Sequence, residues 1–413
     1  MKSKLKILFL SQYFYPEQFL NNSVATDLVR SGHIVNVVCC VPNYPAGRFF
    51  DGFSNSQRRS ENWNGIEIHR VLTIPRGKSA VQLLANYLTY PLAAAWKIVN
   101  LGRDRGDVSF VSMPSPLFQA FAGIFAKKVF GIPTVYWIQD IWPDSALLTL
   151  NIKNKALTRI LEWLCGWIYR QADFLLVQSD GFIDTISKYG VDPGRIATLP
   201  NTAPPHFRPV EKADVRPDIS RLLPSDRSII MFAGNIGESQ DFDTVIDAAM
   251  LLPPESNVLI VVVGSGRDEE RVRHRISTMG LDKRFLFVGR HPEEDMPQFF
   301  SFADAMLVTL KSFPIFALTV PSKVQAYMAC SKPIIASLNG EGARLIEQAG
   351  AGFTVPASNA DALSRLFVQI EEIDQSELQA IGKAGHRYFQ TEFSPSILLN
   401  NLLTFLNRAA DKN

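Results

Sequence analysis

Residues 228–250 read SIIMFAGNIGESQDFDTVIDAAM. The run Ser228–Ala233 is short, apolar and closed by glycine, which predicts a buried strand. Gly234-Asn235-Ile236-Gly237 makes the turn, and the apolar spacing from Asp241 to Leu252 predicts a helix. Strand, glycine turn and helix in one short stretch is the unit of a parallel sheet covered by helices. The rhythm continues downstream. Asn257–Val263 is a strand running into Gly264-Ser265-Gly266, and Phe285–Val288, Ala305–Val308 and Pro333–Ala336 are further strands. Gly340-Glu341-Gly342 then opens a helix.

Upstream, Pro200, Pro204, Pro205, Pro209, Pro217 and Pro224 crowd a polar stretch over 200–227 with neither helical nor strand period, the composition of a linker. Before it the same alternation holds. Lys6–Ser11, His33–Val41, Val108–Ser112, Thr134–Ile138 and Phe174–Ser179 read as strands; Asn22–Ser31, Phe118–Phe130 and Lys155–Gln171 read as helices. The expected architecture is α/β: two doubly wound Rossmann-like domains, 1–203 and 204–393, facing a cleft. A tail over 394–413, helical from Ser396 to Ala410, is expected to pack back on the first domain. The halves show no sequence repeat.

Composition agrees. The 413 residues exceed what one core supports, and 46% hydrophobic with 20% charged residues is globular. A net charge of +2 argues against a dedicated nucleic-acid binder, so no nucleic acid partner is expected. Cys39, Cys40, Cys165 and Cys330 lack CxxC spacing and fit buried thiols of a reducing compartment. The six histidines form no HExxH or HxH pair, so no metal site is expected. Met1–Ser11 is basic and then apolar, but its apolar run is too short for a signal peptide and reads as a first strand. Ser79–Val99 has no acidic residue and approaches the roughly 20 residues that span a bilayer. Gln82, Asn86, Thr89 and Pro91 interrupt it, so a helix pair packed on the domain, with one face at the membrane interface, is the expected form.

In open parallel sheets ligands sit beyond the carboxyl ends of the strands, where glycine turns feed helix N-termini. The turns at Gly234, Asn235 and Gly237, at Gly264 and Gly266, and at Gly340, Glu341 and Gly342 offer backbone N–H groups and positive helix ends suited to a diphosphate. One such turn is ordinary loop geometry; three in one domain favour a ligand. Neither GxGxxG after the first strand nor GxxxxGK[ST] occurs, which weakens dinucleotide and ATP-hydrolase readings. Arg267, Lys311 and Lys323, the last following Pro321-Ser322 at a helix start, are candidate cations. Ser322 adds a hydroxyl there.

In the first domain, Gln139-Asp140-Ile141-Trp142-Pro143-Asp144 follows a strand. Asp140 and Asp144 suit hydroxyl binding or proton transfer; the alternative for Asp144 is a helix cap. Glu17, after Tyr13-Phe14-Tyr15-Pro16, also lies past a strand end and is the third candidate carboxylate.

Together, LFLSQYFYPE, YWIQDIWPDS, AGNIGESQDFDTVIDAA, VGRHPEEDMPQFFSFADAMLV and PSKVQAYMACSKPIIASLNGEGARLIEQAGAG resemble glycosyltransferase family 4 over nearly the whole chain. Within it they look most like the WbuB-type N-acetyl-fucosamine transferases of O-antigen and capsule assembly. The resemblance implies a GT-B fold and retaining transfer without an obligatory metal or cofactor. It implies a UDP-sugar held by the second domain and an undecaprenyl-diphosphate-linked saccharide held by the first. Arg76–Val99 would meet the membrane, placing the protein in the cytoplasm on the inner face of the cytoplasmic membrane. Arg290 in VGRHP joins the phosphate candidates.

Three departures stand out. Leu318 and Ala326 occupy the positions of two glutamates common in the family, Gln240 that of a lysine, and Gln139 that of a histidine before Asp140. Lys323, Arg267 and the glycine turns must then carry more of the phosphate binding. The lost glutamates also keep open a degenerate, non-catalytic binding protein, and the same fold admits a UDP-sugar epimerase, against which the apolar 79–99 segment argues.

Overall fold

Runs such as IVNVVCC and VLIVVV have no polar face, so their strands need cover on both sides. The computed structural model describes residues 4–77, 79–149 and 154–412. They form two compact units, Met1–Pro200 with Leu398–Asn413, and Asn201–Ile397.

The first unit holds eight strands: β1 (Lys6–Leu10), β2 (Ile34–Cys40), β3 (Ser60–Trp63), β4 (Ile66–Val71), β5 (Val108–Met113), β6 (Thr134–Ile138), β7 (Phe174–Val177) and β8 (Ile196–Thr198). Their order is β3-β4-β2-β1-β5-β6-β7-β8, parallel throughout except that β3 runs against β4. Thus Lys6–Leu10 is a central strand paired with both β2 and β5, as the strand reading of the N-terminus requires; Met1–Ser3 of that stretch lie outside the described residues. The β3–β4 hairpin is an addition to the sequence reading. Its signal was the dipeptide Asn64-Gly65, both at positive φ, which is a hairpin turn; SENW is too polar to read as a strand at the sheet edge.

Helices α1 (Leu20–Arg30), α2 (Ala80–Asn100), α3 (Ala120–Phe130), α4 (Asp144–Thr149) and α5 (Lys155–Gln171) connect these strands. The expected helix pair over 79–99 is instead one helix of 21 residues with Pro91 inside it. Proline removes one backbone donor and ordinarily kinks a helix. Here Tyr90, Ala94 and Ile98 are fully buried, and Tyr90 donates its hydroxyl to the Val38 carbonyl, so tertiary packing holds the helix through the proline. Among the described residues no helix is long and apolar enough to cross a membrane. The terminal helix Pro395–Ala410 places Leu398, Leu402, Leu403, Leu406 and Ala409 in the same core as Ile7, Phe9 and Val24.

The second unit has six parallel strands, β9 (Ser228–Ala233), β10 (Val258–Val263), β11 (Phe285–Gly289), β12 (Ala305–Thr309), β13 (Ile334–Ser337) and β14 (Gly352–Val355), ordered β11-β10-β9-β12-β13-β14. Separate cores cover its two faces. All four cysteines are buried free thiols.

Candidate functional site

In the second unit the strand order reverses between β9 and β12. At such a point the crossovers part to opposite faces and open a crevice at the strand carboxyl ends. The turns after β9, β10 and β11 lie side by side there. Gly234 N–H donates to the Val263 carbonyl at 2.9 Å, Gly264 N–H to Gly289 at 2.7 Å, and Ile236 N–H to Ser265 at 3.0 Å. A Cβ added at Gly264, where φ is +141°, would lie 2.0 Å from the Gly234 carbonyl oxygen, so only glycine permits the approach. This corrects one expectation: the N–H groups of Gly234 and Gly264 are engaged in lacing the turns together and are not free for a ligand. Asn235 is exposed on that rim, with Gly237 and Gly266 half-buried beside it.

Lys323, second residue of the Ser322–Ala329 helix, reaches this rim. Its Nζ donates to Gln240 Oε1 at 2.5 Å and lies 3.6 Å from the centroid of the Phe232 ring; a Cβ on Gly234 would fall 2.9 Å from Lys323 Cε. Burial, with no carboxylate partner among the described residues, pushes the ammonium down to about 7. Gln240 therefore stands in the lysine's position as the acceptor that holds Lys323. Neither this pairing nor the Phe232 platform was legible in the sequence, since both depend on β9 and the 322–329 helix meeting in space. Ser322 is exposed at the helix start.

Arg267 directly follows the second turn and Arg290 follows Gly289; both are exposed, and neither has a partner among the described residues. Lys311 is otherwise occupied, since its Nζ pairs with Glu238 at 2.8 Å. Gly340 caps the Glu341–Gln348 helix at φ +75°, its backbone against the Ala317 carbonyl, while Gly342 is buried. Glu341 is a second correction: its carboxylate pairs with Arg344 and does not stand free for a ligand. Leu318 and Ala326 are both half-buried, and Ala326 packs against the core.

In the first unit the order reverses between β1 and β5. Asp140 lies just past β6, half-buried. Burial pushes its carboxyl up to about 6, opposed by the side chains of Ser145, Ser115 and Trp142. Asp144 is exposed in the first turn of α4, where a carboxylate suits the positive helix end. It is thus a residue of the helix's first turn and not the N-cap weighed from the sequence.

Glu17 is only 2% exposed. Its Oε1 accepts from the N–H groups of Asn43 at 2.8 Å and Tyr44 at 2.7 Å, and its Oε2 from Phe14 at 3.3 Å. Burial raises it to about 7 despite these bonds. Glu17 braces the loops after β1 and β2, which corrects its assignment to proton transfer: both oxygens are already committed.

The braced loops present residues that motif reading passed over. Arg76 has its N–H on Asn43 Oδ1 at 3.0 Å and its guanidinium 5.3 Å from the Tyr44 ring. Tyr13, Phe19 and Tyr44 form an aromatic triangle, each pair of centroids 5.4 Å apart. Tyr87, from α2, is raised by burial, lowered by the charge of Arg76 and raised by that of Asp140, so these two groups share one neighbourhood.

Residues 21–202 match the glycosyl transferase 4-like domain, and residues 218–387 the glycosyl transferases group 1 domain. The chain is similar to the protein named as glycosyltransferase WbjE of Pseudomonas aeruginosa, 27% identical over 71% of this chain and 73% of that protein. It is likewise similar to the protein named as colanic acid biosynthesis glycosyl transferase WcaI of Escherichia coli, 26% identical over 73% and 74%. Its fold is that of sucrose-phosphate synthase from Thermosynechococcus elongatus, with TM-score 0.78 at 17% identity over 98% and 99% of the two chains. It is also that of Anabaena HepE solved with UDP-glucose, with TM-score 0.72 at 16% identity over 98% and 100%. Two doubly wound sheets of this kind are the GT-B fold, and the two matched domains make the chain a glycosyltransferase. More particularly, the protein is a glycosyltransferase in which a glycosyl transferase 4-like domain precedes a glycosyl transferases group 1 domain.

Proposed function

We propose that the protein transfers a sugar, with retention of anomeric configuration, from a UDP-sugar to a lipid-diphosphate-linked saccharide during assembly of a bacterial surface polysaccharide. The observation that carries the donor half is Lys323 held by Gln240 and Phe232 at the strand-order reversal of the second unit. A cation poised there neutralises a departing nucleoside diphosphate, with Arg267 and Arg290 on the same rim. This role is the electrostatic one a metal would otherwise fill, so the reading requires no metal or cofactor. HepE, solved with UDP and with UDP-glucose, supports a uridine nucleotide. The names of WcaI and of the amylovoran biosynthesis glycosyltransferase AmsK of Erwinia amylovora support polysaccharide assembly. N-acetyl-fucosamine or a related deoxy-amino sugar is the proposed donor sugar, on the motif resemblance. Asp140, with its raised pKa, is the proposed group facing the acceptor hydroxyl.

The lipid half draws on α2. Val81, Leu84, Leu88, Leu92, Trp96 and Val99 recur every three or four residues and are all exposed. Of these, Leu88, Leu92 and Trp96 line an apolar groove of about 540 Å³ with Arg59 and Leu72. An apolar stripe flanked by Arg59 and Lys97 suits an anionic membrane surface, and the protein is proposed to work peripherally on the cytoplasmic face.

The deciding experiment incubates purified protein with labelled UDP-sugars, with and without lipid-linked acceptor. Transfer only with the lipid acceptor supports the reading. Sugar isomerisation without acceptor indicates an epimerase, and nucleotide binding without turnover a non-catalytic protein.

A further inference from the structure

The loops that Glu17 braces gather a cation the transfer scheme above does not use. Arg76 is half-buried, and no carboxylate of the described residues pairs with it. A guanidinium withdrawn from water calls for an anion. Tyr44 lies against it, and its charge acts on both Tyr13 and Tyr87. The Tyr13 hydroxyl adds a second vacancy. Tyr13 is 3% exposed, yet its oxygen has no hydrogen-bond partner among the described residues. A buried hydroxyl without a partner is costly unless a ligand supplies one. Tyr13 follows the carboxyl end of β1, beside the reversal point of this sheet, and Arg76 follows that of β4, tied by its N–H to Asn43 in the loop after β2.

The position along the chain says which anion fits. Three residues after Arg76 comes Ser79, the N-cap of α2, and the exposed apolar stripe begins at Val81. An anion carried on a long apolar tail would meet both features in sequence. A free phosphate or a soluble sugar phosphate would use only the first.

Resting on the transfer reading above, we propose that Arg76, with the Tyr13 hydroxyl and the Tyr44 ring, forms a phosphate-recognising subsite for a lipid diphosphate whose tail runs along the Val81–Leu92 stripe. Asp140, which shares the surroundings of Tyr87 with Arg76, then faces the saccharide end of the same molecule. Arg76 is a binding residue here and takes no part in bond making.

The test measures binding of farnesyl diphosphate and of farnesol by calorimetry in saturating UDP, which occupies the second unit. Wild type should prefer the diphosphate at least tenfold. Arg76→Ala should lose that preference and Arg76→Lys keep part of it, both with unaltered UDP affinity, which also reports folding. Inorganic pyrophosphate alone should bind at least tenfold more weakly than farnesyl diphosphate. A wild type without the preference, an Arg76→Ala variant that retains it, or pyrophosphate binding as tightly as farnesyl diphosphate overturns the subsite. If the preference depends on Arg76 but no lipid-linked acceptor is glycosylated, the subsite stands and the transfer reading falls. Transfer by Arg76→Ala at the wild-type KM removes the subsite and leaves the reading intact.

Discussion

Lys323 Nζ lies 2.5 Å from Gln240 Oε1, a lysine–amide pair joining the start of the Ser322–Ala329 helix to the turn after β9. An amide can hold an ammonium without neutralising it, so the charge stays available to an incoming anion. A carboxylate at the same place would compete with the ligand.

Removing that charge should weaken nucleotide binding. A hydrogen bond to a charged group contributes about 1.5–3 kcal/mol, so Lys323→Ala should raise the Kd for UDP about 10- to 150-fold. Because the ammonium titrates at about 7 and a diphosphate binds its protonated form, wild-type affinity should fall as pH rises above that value. Calorimetric titration across that range should show Lys323→Ala without this fall. An equal pH slope in both proteins would remove Lys323 from the site.

Asp140→Asn should lower turnover while leaving UDP affinity alone, and it should also stabilise the protein. In the folded chain the carboxyl holds its proton up to about 6, against 3.8 without burial. The folded state thus binds the extra proton between those values, and stability declines as pH climbs through that window. Asparagine escapes the loss, by up to about 3 kcal/mol above the upper end. Thermal melts and initial rates on the same samples separate the two effects; a variant with normal turnover refutes the assigned role.

For Glu17 the expected order is reversed. Glu17→Ala leaves three N–H groups without acceptors and should cost about 2–4 kcal/mol. Glu17→Gln keeps an oxygen for Asn43 and Tyr44 and should retain most of the activity. Loss of turnover in Glu17→Gln at unchanged melting temperature would restore a chemical role. Since burial raises this carboxyl from 4.5 to about 7, its charge destabilises increasingly over that interval, and wild type should melt higher at mildly acidic pH than at neutral pH.

Gly264→Ala places a methyl 2.0 Å from the Gly234 carbonyl oxygen. Backbone must move, and a loss of about 3 kcal/mol or more is expected, with UDP binding lost as the laced turns part. Unchanged binding would mean that the β9 and β10 turns are not part of the nucleotide site.

On α2, Leu92 and Trp96 are 75% and 64% exposed. Replacing both with glutamate should change the unfolding free energy by no more than about 0.5 kcal/mol per site and abolish co-sedimentation with anionic vesicles. Retained sedimentation would dissociate the stripe from the membrane.

The sequence carried much of this organisation because strand, glycine turn and helix are local signals. Ser228–Ala233 is apolar on both faces and ends in Gly234, so its position in a parallel sheet follows from a few neighbours. The exceptions have physical causes. Ser60–Trp63 is a polar edge strand marked only by its Asn64-Gly65 turn, and Ala80–Asn100 stays one helix through Pro91 because Tyr90 and Ile98 are buried.

What the sequence determined by itself is two doubly wound sheets, the glycine turns at their strand ends, and the candidacy of Asp140 and Lys323. Tertiary structure alone decided what those residues touch. It set Lys323 on Gln240 and Phe232, withdrew Glu17 into backbone bonds, closed the Gly234 and Gly264 N–H groups onto neighbouring strand ends, and left Arg76 near Tyr13 and Tyr44 with no carboxylate partner among the described residues. Residues such as Lys323 and Gln240 are 83 positions apart. Local pattern fixes the element each belongs to, but only the packing of elements fixes which atoms are left to meet a ligand.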